Sequence, residues 1–285
     1  MSVAPARPAS TVVLIRPSST GFEVFLVQRH ENIAFMGGAH VFPGGRVDPG
    51  DRFEEPQQLC DGVSEAARRA PDLSAAEAVA YYVAAIRELF EEAGVLLARR
   101  EDGRVIDFVD AAEAERFRSY RHELAAGSLT MRELAEREHL RFALDAIVLF
   151  AHWVTPAVET KRFDTRFFVA TLPAGQDPVH DDTETTHSEW LDPADATERC
   201  VRDEIALPPP TWSTLRTLSK FHSTDEVMRW ARERRVVRVE PAFIKTDTET
   251  LLTLPGDPTC PPIEGFEPVE ETRFRLEDGR WRAVR

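Results

Sequence analysis

Glu88, Glu91 and Glu92 stand three and four residues apart in Arg87-Glu88-Leu89-Phe90-Glu91-Glu92-Ala93-Gly94-Val95. At about 3.6 residues per turn, that spacing sets three carboxylates on one side of a helix, beside the guanidinium of Arg87. Like charges this close repel, and hard divalent cations, which take oxygen ligands, relieve the repulsion. The chemistry such a cluster suits is metal-assisted work on phosphate. Acidic runs also occur on solvated helix faces, and E-x-x-E-E alone does not separate the two readings. Upstream, Phe42-Pro43-Gly44-Gly45-Arg46-Val47-Asp48 follows a strand-like segment. Paired glycines let the backbone approach a ligand or metal with no Cβ in the way, although Pro-Gly-Gly in isolation also reads as a turn.

Positioning these groups requires particular elements. Ser74-Ala75-Ala76-Glu77 is a capping-box pattern that predicts a long helix ending at Ala93, where Gly94 can adopt a left-handed conformation. Thr11 to Arg16 and Glu23 to Arg29 are β-rich runs around Pro17-Ser18-Ser19-Thr20-Gly21 and predict a hairpin. Residues 53–73 read as helical or irregular. Helical patterns follow at Asp110 to Ala126 and Thr130 to Leu144, strands at Ala146 to Val154 and Thr165 to Leu172, and a short strand ending at Trp190-Leu191. Thr211 to Phe221 and Asp225 to Arg234 predict two more helices. Beyond Arg235 the pattern is Pro- and Thr-rich, with short β-prone runs and no assignable place.

Taken together, the acidic helix and the glycine loop resemble the Nudix hydrolases, whose box reads G-x5-E-x7-R-E-U-x-E-E-x-G-U, with U aliphatic. Its second half matches at every specified position. Gly45 followed six residues later by Asp51 fits G-x5-E with Asp for Glu, and Arg87 lies 42 residues after Gly45 where the box expects 14. A 28-residue insertion before the helix accounts for the difference, and loop-closure entropy grows slowly enough to tolerate it. The resemblance covers roughly residues 11–222. It implies an α/β fold, the Nudix-type α/β/α sandwich with a mixed sheet, with a hydrolase domain over 1–222 carrying helical insertions at about 52–73 and 98–144, and a C-terminal extension over 223–285.

For chemistry, the resemblance implies that Glu88, Glu91 and Glu92 ligate Mg²⁺ or Mn²⁺, with the carbonyl of Gly44 or Gly45 as an extra ligand. Glu91, Glu92 or a later carboxylate accepts the proton of the attacking water. Arg87 orients the helix against the glycine loop rather than touching substrate. Asp181, Asp182, Glu184 and Glu189 are candidates for the later carboxylate, with Glu184 preferred; a solvated acidic loop is the other reading.

Leu26-Val27-Gln28-Arg29, Gly38 and Phe42-Pro43-Gly44-Gly45 resemble the coenzyme A diphosphatase signature of one Nudix branch, although His30 stands where Ser is usual and Ala34 where a second Arg is. The stretch from Phe35 to Gly45 and the late Leu254-Pro255-Gly256-Asp257 resemble longer coenzyme A-directed members with an inserted box. That resemblance implies hydrolysis of coenzyme A or acyl-coenzyme A to 3′,5′-ADP and (acyl-)4′-phosphopantetheine, with Arg29 and Phe42 contacting substrate. ADP-ribose and NADH are alternative substrates, and a non-catalytic nucleotide-sensing module is a rival that the intact glutamate set argues against. Arg162 and Arg166 are further substrate candidates because arginine forks suit phosphate oxygens. An exposed Arg162–Asp164 ion pair is the equal alternative, and parity places Arg166 and Asp164 on one strand face.

Composition bounds the partners. With 285 residues, 42% of them hydrophobic, one elaborated domain is the preferred organisation. A net charge of −14 argues against a nucleic acid polymer and for a small-molecule nucleotide. Cys60, Cys200 and Cys260 lack the spacing of a zinc site or disulfide framework, and no apolar run reaches membrane-spanning length. A cytoplasmic protein with no membrane contact is expected. The two insertions are candidates for a lid or a homodimer contact.

Overall fold

The computed structural model describes residues 3–31, 37–181, 183 and 185–284. The chain opens with the expected hairpin of β1 (Arg7–Ser18) and β2 (Gly21–Arg29), whose backbone pairing runs past the apolar residues that predicted it. Short strands β3 (His40–Val41) and β4 (Gly44–Arg46) then pair with β2 and β1. Residues 49–51 form a 3₁₀ turn, and the first insertion holds α1 (Pro56–Leu59), β5 (Cys60–Asp61) and α2 (Val63–Arg69). Next comes α3 (Ala75–Ala93), the acidic helix. The Ser74 side chain accepts from the Glu77 N–H, the Glu77 side chain accepts from Ser74, and Gly94 terminates the helix at φ 71°.

The second insertion comprises β6 (Ala98–Arg100), α4 (Ala111–Ala125), α5 (Met131–Glu138) and β7 (Leu140–Ala143). The pattern from Thr130 predicted one helix as far as Leu144. Instead, His139 turns left-handed at φ 50°, and β7 leaves to pair with β5 and β6 in a separate three-stranded sheet. There follow β8 (Ile147–Val154), β9 (Phe163–Thr171), β10 (Thr185–Leu191), α6 (Pro193–Val201), α7 (Pro209–Leu218), α8 (Thr224–Glu233) and β11 (Arg238–Val239). The tail that the sequence left unplaced forms an antiparallel sheet of β12 (Ala242–Lys245), β13 (Thr250–Thr253), β14 (Arg273–Glu277) and β15 (Arg280–Ala283).

The main sheet runs β10-β2-β1-β9-β8-β11 and is mixed, because β1–β9 and β11–β8 are parallel while the other neighbours are antiparallel. Strand alternation divides the core into two layers. Val12 and Leu14 of β1, Val27 of β2 and Phe168 of β9 pack towards α3, where Ile86, Leu89 and Phe90 meet them. Val13, Ile15, Leu26 and Val169 point the other way, towards Leu215 of α7, Val227 of α8 and Leu254 and Phe274 of the C-terminal sheet. The molecule is thus an α/β sandwich with α3 on one face and α6 to α8 with the C-terminal sheet on the other. Among the described residues no helix is long and apolar enough to cross a membrane.

Candidate active site

Arg87 is the hub of the acidic helix. Its Nε and Nη2 donate to the two oxygens of Asp51 at 2.9 and 3.0 Å, and Nη2 also donates to the Arg46 carbonyl at 2.7 Å. Nη1 donates to Glu88 at 2.9 Å and Glu91 at 3.2 Å. Asp51 is 1% exposed, and its Oδ2 also accepts from the Asp48 N–H at 2.7 Å. The expected link from Arg87 to the glycine segment is therefore present. Asp51 is the acidic residue of the displaced half-motif, and it supplies the other side of that link.

The two glycines are used for close approach. Gly44 lies opposite Thr11 in the β1–β4 pairing, where a Cβ would sit 2.4 Å from the Ser10 carbonyl oxygen. A Cβ on Gly45 would instead lie 2.5 Å from Glu88 Oε1, so the missing side chain leaves the Glu88 carboxylate directly against β4. Backbone cannot yield to such an intrusion, whereas a carboxylate can swing away. Glu92 bonds the same segment from the helix, accepting from the Gly44 N–H at 2.9 Å.

Burial dominates the electrostatics. It pushes the Glu88 carboxyl up to about 7 against the pull of Arg87, with Glu91 adding repulsion, and it raises Glu91 and Asp51 as well. Burial also opposes the charge on Arg87, but its bonds to Asp51 and the nearby Glu88 and Glu91 hold it protonated above its ordinary range. One buried guanidinium hydrogen-bonds three carboxylates and lies 3.8 Å from a fourth, Asp48, so the cluster lacks positive charge. A divalent cation fits that deficit: the donors are all oxygen, and the absent Cβ at Gly45 keeps the approach to Glu88 open. Among the described residues no three acidic, His or Cys side chains converge on one point, since Arg87 lies between Glu88 and Glu91 and Glu92 is turned to Gly44.

This end opens into a cleft of about 890 Å³, within the size range of small-molecule sites. Gly44, Gly45, Glu88 and Glu91 line it together with Arg29 and Phe42, so the structure gathers most of the sequence candidates. The Nε of Arg29 is buried without a hydrogen-bond partner among the described residues. Phe42 stacks edge-on with Phe167 at 6.4 Å. Glu184, with Asp182 and Ala34, lies outside the described residues. Of the other acidic candidates, Asp181 accepts from the Thr185 N–H and hydroxyl, and Glu189 is paired with Arg199 at 2.7 Å.

Arg162 and Arg166, expected as substrate contacts, do not line the cleft. Alternation along β9 turns Phe163, Thr165 and Phe167 into the cleft and Arg166 to the α3 face, where it pairs with Asp72 and lies over Tyr81 at 5.6 Å. Arg162 is buried as a clamp, donating to the Thr155 and Ala4 carbonyls at 2.9 and 2.8 Å and to Glu240 at 2.9 Å. The alternative Arg162–Asp164 pair does not form either. Asp164 bonds His152 at 2.7 Å, with Arg166 Nε at 4.0 Å.

The sequence reading missed Arg46, whose exposed guanidinium lines the cleft and makes no side-chain hydrogen bond or ion pair among the described residues. Its position directly after Gly45 was the available signal. It also missed Trp153, Pro208 to Pro210, Leu252 and Trp281, which line the far side. No local pattern marks those residues, because only tertiary packing brings them to the glycine loop.

A mixed sheet with a Glu-rich helix packed against a Pro-Gly-Gly strand defines the Nudix fold. A solved Nudix hydrolase from Alicyclobacillus acidocaldarius is similar to this chain with a TM-score of 0.63 and 25% identity, over 80% of this chain and 97% of that one. A family model described as the NUDT19 Nudix domain matches residues 53–218, more than half of the chain, and the chain belongs to that Nudix family. Human acyl-coenzyme A diphosphatase NUDT19 is 30% identical over 293 aligned positions, covering 89% of this chain and 74% of the relative. The Xenopus laevis protein of the same name is 27% identical, over 86% and 73%.

Proposed function

We propose that this protein hydrolyses the pyrophosphate bond of coenzyme A or acyl-coenzyme A in the presence of Mg²⁺ or Mn²⁺, giving 3′,5′-ADP and (acyl-)4′-phosphopantetheine. The observation that carries the reading is the carboxylate pair of buried Glu88 and half-buried Glu91, both pushed up by burial, with Glu88 against Gly45 at one end of a substrate-sized cleft. Relatives named acyl-coenzyme A diphosphatase over most of the chain support the choice of substrate.

Glu88, Glu91 and Glu92 would hold the metal, with the Gly44 or Gly45 carbonyl as a further ligand. When bound, the ion supplies charge neutralisation at the phosphoryl oxygens and lowers the pKa of water. Arg29 and the uncommitted Arg46 line the same cleft and would bind phosphate oxygens, while Phe42 supports the substrate from the sheet. Water adds to one phosphorus, the bridging P–O bond breaks, and the bridging oxygen departs with the other phosphate. Glu91, Glu92 or Glu184 takes the proton from that water. Arg87, committed to Asp51 and the Arg46 carbonyl, keeps the helix in register with the glycines. We take residues 1–222 as the hydrolase domain and 223–285 as an extension that completes its cleft. Three free cysteines fit a reducing compartment, and we place the reaction in the cytoplasm.

The test is a screen of coenzyme A, acyl-coenzyme A, ADP-ribose, NADH and diadenosine polyphosphates with Mg²⁺ or Mn²⁺, with Glu91→Gln and Glu92→Gln as controls. Turnover of coenzyme A esters that collapses by about 100-fold or more in the controls is expected. Nucleotide binding without turnover of any compound would leave a sensing module, and turnover indifferent to both substitutions would move the metals elsewhere.

A further inference from the structure

The cleft does not end at the carboxylates. Beyond Gly45 its sheet side becomes aromatic, with Phe42, Trp153 and Phe167, and its roof is made by Leu252 of β13 and Trp281 of β15. This roof is firmly built. Trp281 pairs across the hairpin with Leu276, and the sheet is anchored by Phe274 and Leu254, which are 1% and 0% exposed. Trp281 itself is only partly covered, so part of its indole remains open. Trp153 is 6% exposed, and its Nε1 has no acceptor among the described residues. The wall from the second insertion is made of Leu124, Leu129 and Met131, which are buried like Leu252, and of the small exposed residues Ala125, Ala126, Gly127 and Thr130. The partly open indole of Trp281 therefore sets the C-terminal side apart from the wall made by the insertion.

We propose that the C-terminal sheet is the acyl-recognition wall, with Leu252 and Trp281 covering the acyl chain of an acyl-pantetheine arm whose pyrophosphate lies at Glu88 and Gly45. This rests on the acyl-coenzyme A diphosphatase reading and adds to it the residues that select among substrates. Apolar contact of this kind discriminates modestly per methylene, so the effect grows with chain length.

The experiment compares kcat/KM for octanoyl-coenzyme A and unesterified coenzyme A in wild type, Trp281→Ala, Leu252→Ala, Trp281→Phe and Ala126→Trp. A partly unfolded variant lowers both rates and cancels in their ratio. The ratio of octanoyl to free substrate is expected to fall about ten-fold in Trp281→Ala, to fall less in Leu252→Ala, and to recover in Trp281→Phe. An unchanged ratio in both alanine variants overturns the proposal, as does a fall seen only with Ala126→Trp, which would put the chain against the insertion. If wild type cleaves neither substrate, the diphosphatase reading fails and takes this inference with it, an outcome distinct from a ratio that does not move.

Discussion

At the scale of single residues, the site is decided by how few cations serve its carboxylates. Asp51, Glu88 and Glu91 share Arg87, and burial leaves Glu88 titrating near 7 rather than at its ordinary value of 4.5. In the unfolded chain this group loses its proton near 4.5, so between there and pH 7 the folded state binds more protons than the unfolded one. Stability of the metal-free protein therefore falls as pH rises through that window and levels off above it, by about 3 kcal/mol from Glu88 alone. Glu88→Gln is expected to flatten the profile and raise the melting temperature of the metal-free protein at pH 8 while abolishing turnover. Thermal unfolding at pH 5, 6, 7 and 8 in EDTA checks this, and a substitution that destabilises equally at every pH would count against it. Much of this was legible in the residues: E-x-x-E-E, the terminating glycine and the upstream glycine pair are local patterns. Arg162 and Arg166, suggested by the fit of arginine forks to phosphate and weighed evenly against an ion pair, do not line the cleft, because an arginine at a strand can serve either face and packing decides which.

At the scale of elements, the second insertion does more than fill the gap between α3 and β8. Arg121 of α4 donates to the Glu91 carbonyl at 2.8 Å and to the Val179 carbonyl at 2.9 Å, closing off the last turn of the acidic helix. That turn carries Glu91 and Glu92 and would otherwise leave carbonyls unsatisfied. Gly94, just after it, sits at φ 71°, and a Cβ there would lie 3.2 Å from Arg121, so the helix end and the insertion are fitted to each other. Arg121→Ala is expected to cost about 1–2 kcal/mol of stability and to weaken Mn²⁺ binding, since bonds from a charged donor are lost and the final turn is freed. Calorimetric Mn²⁺ titration beside denaturant unfolding separates the two effects. Wild-type Mn²⁺ affinity in a destabilised variant would restrict Arg121 to holding the fold. The capping boxes at Ser74 and Thr130 predicted where α3 and α5 begin. The stop at His139 carried no such signal, because a left-handed histidine is imposed by the pairing of β7.

Across the whole molecule, the C-terminal tail belongs to the core of the hydrolase. Leu252, Leu254 and Phe274 are buried with Val13, Leu26 and Trp212 in one cluster. Burying each contributes roughly 2 kcal/mol, so removing residues 240–285 forfeits about 6 kcal/mol, comparable with the entire stability of many domains. The truncated chain is expected to lose cooperative unfolding by circular dichroism. If it melts within a few degrees of the full chain, the tail is an appendage and the cleft roof is not integral. The sequence by itself determined the chemistry and its main frame: the acidic helix, its caps, the hairpin, the glycine strand and the Nudix class all rest on contacts between residues close in the chain, or on patterns of period two and 3.6. Tertiary structure alone decided that Asp51 closes onto Arg87 across 36 residues, that β9 turns Arg166 away from the cleft, and that a tail without a recognisable pattern lends Leu252 and Trp281 to the cleft. Those outcomes depend on which apolar surfaces cover one another, and burial of that kind is set by the assembled chain.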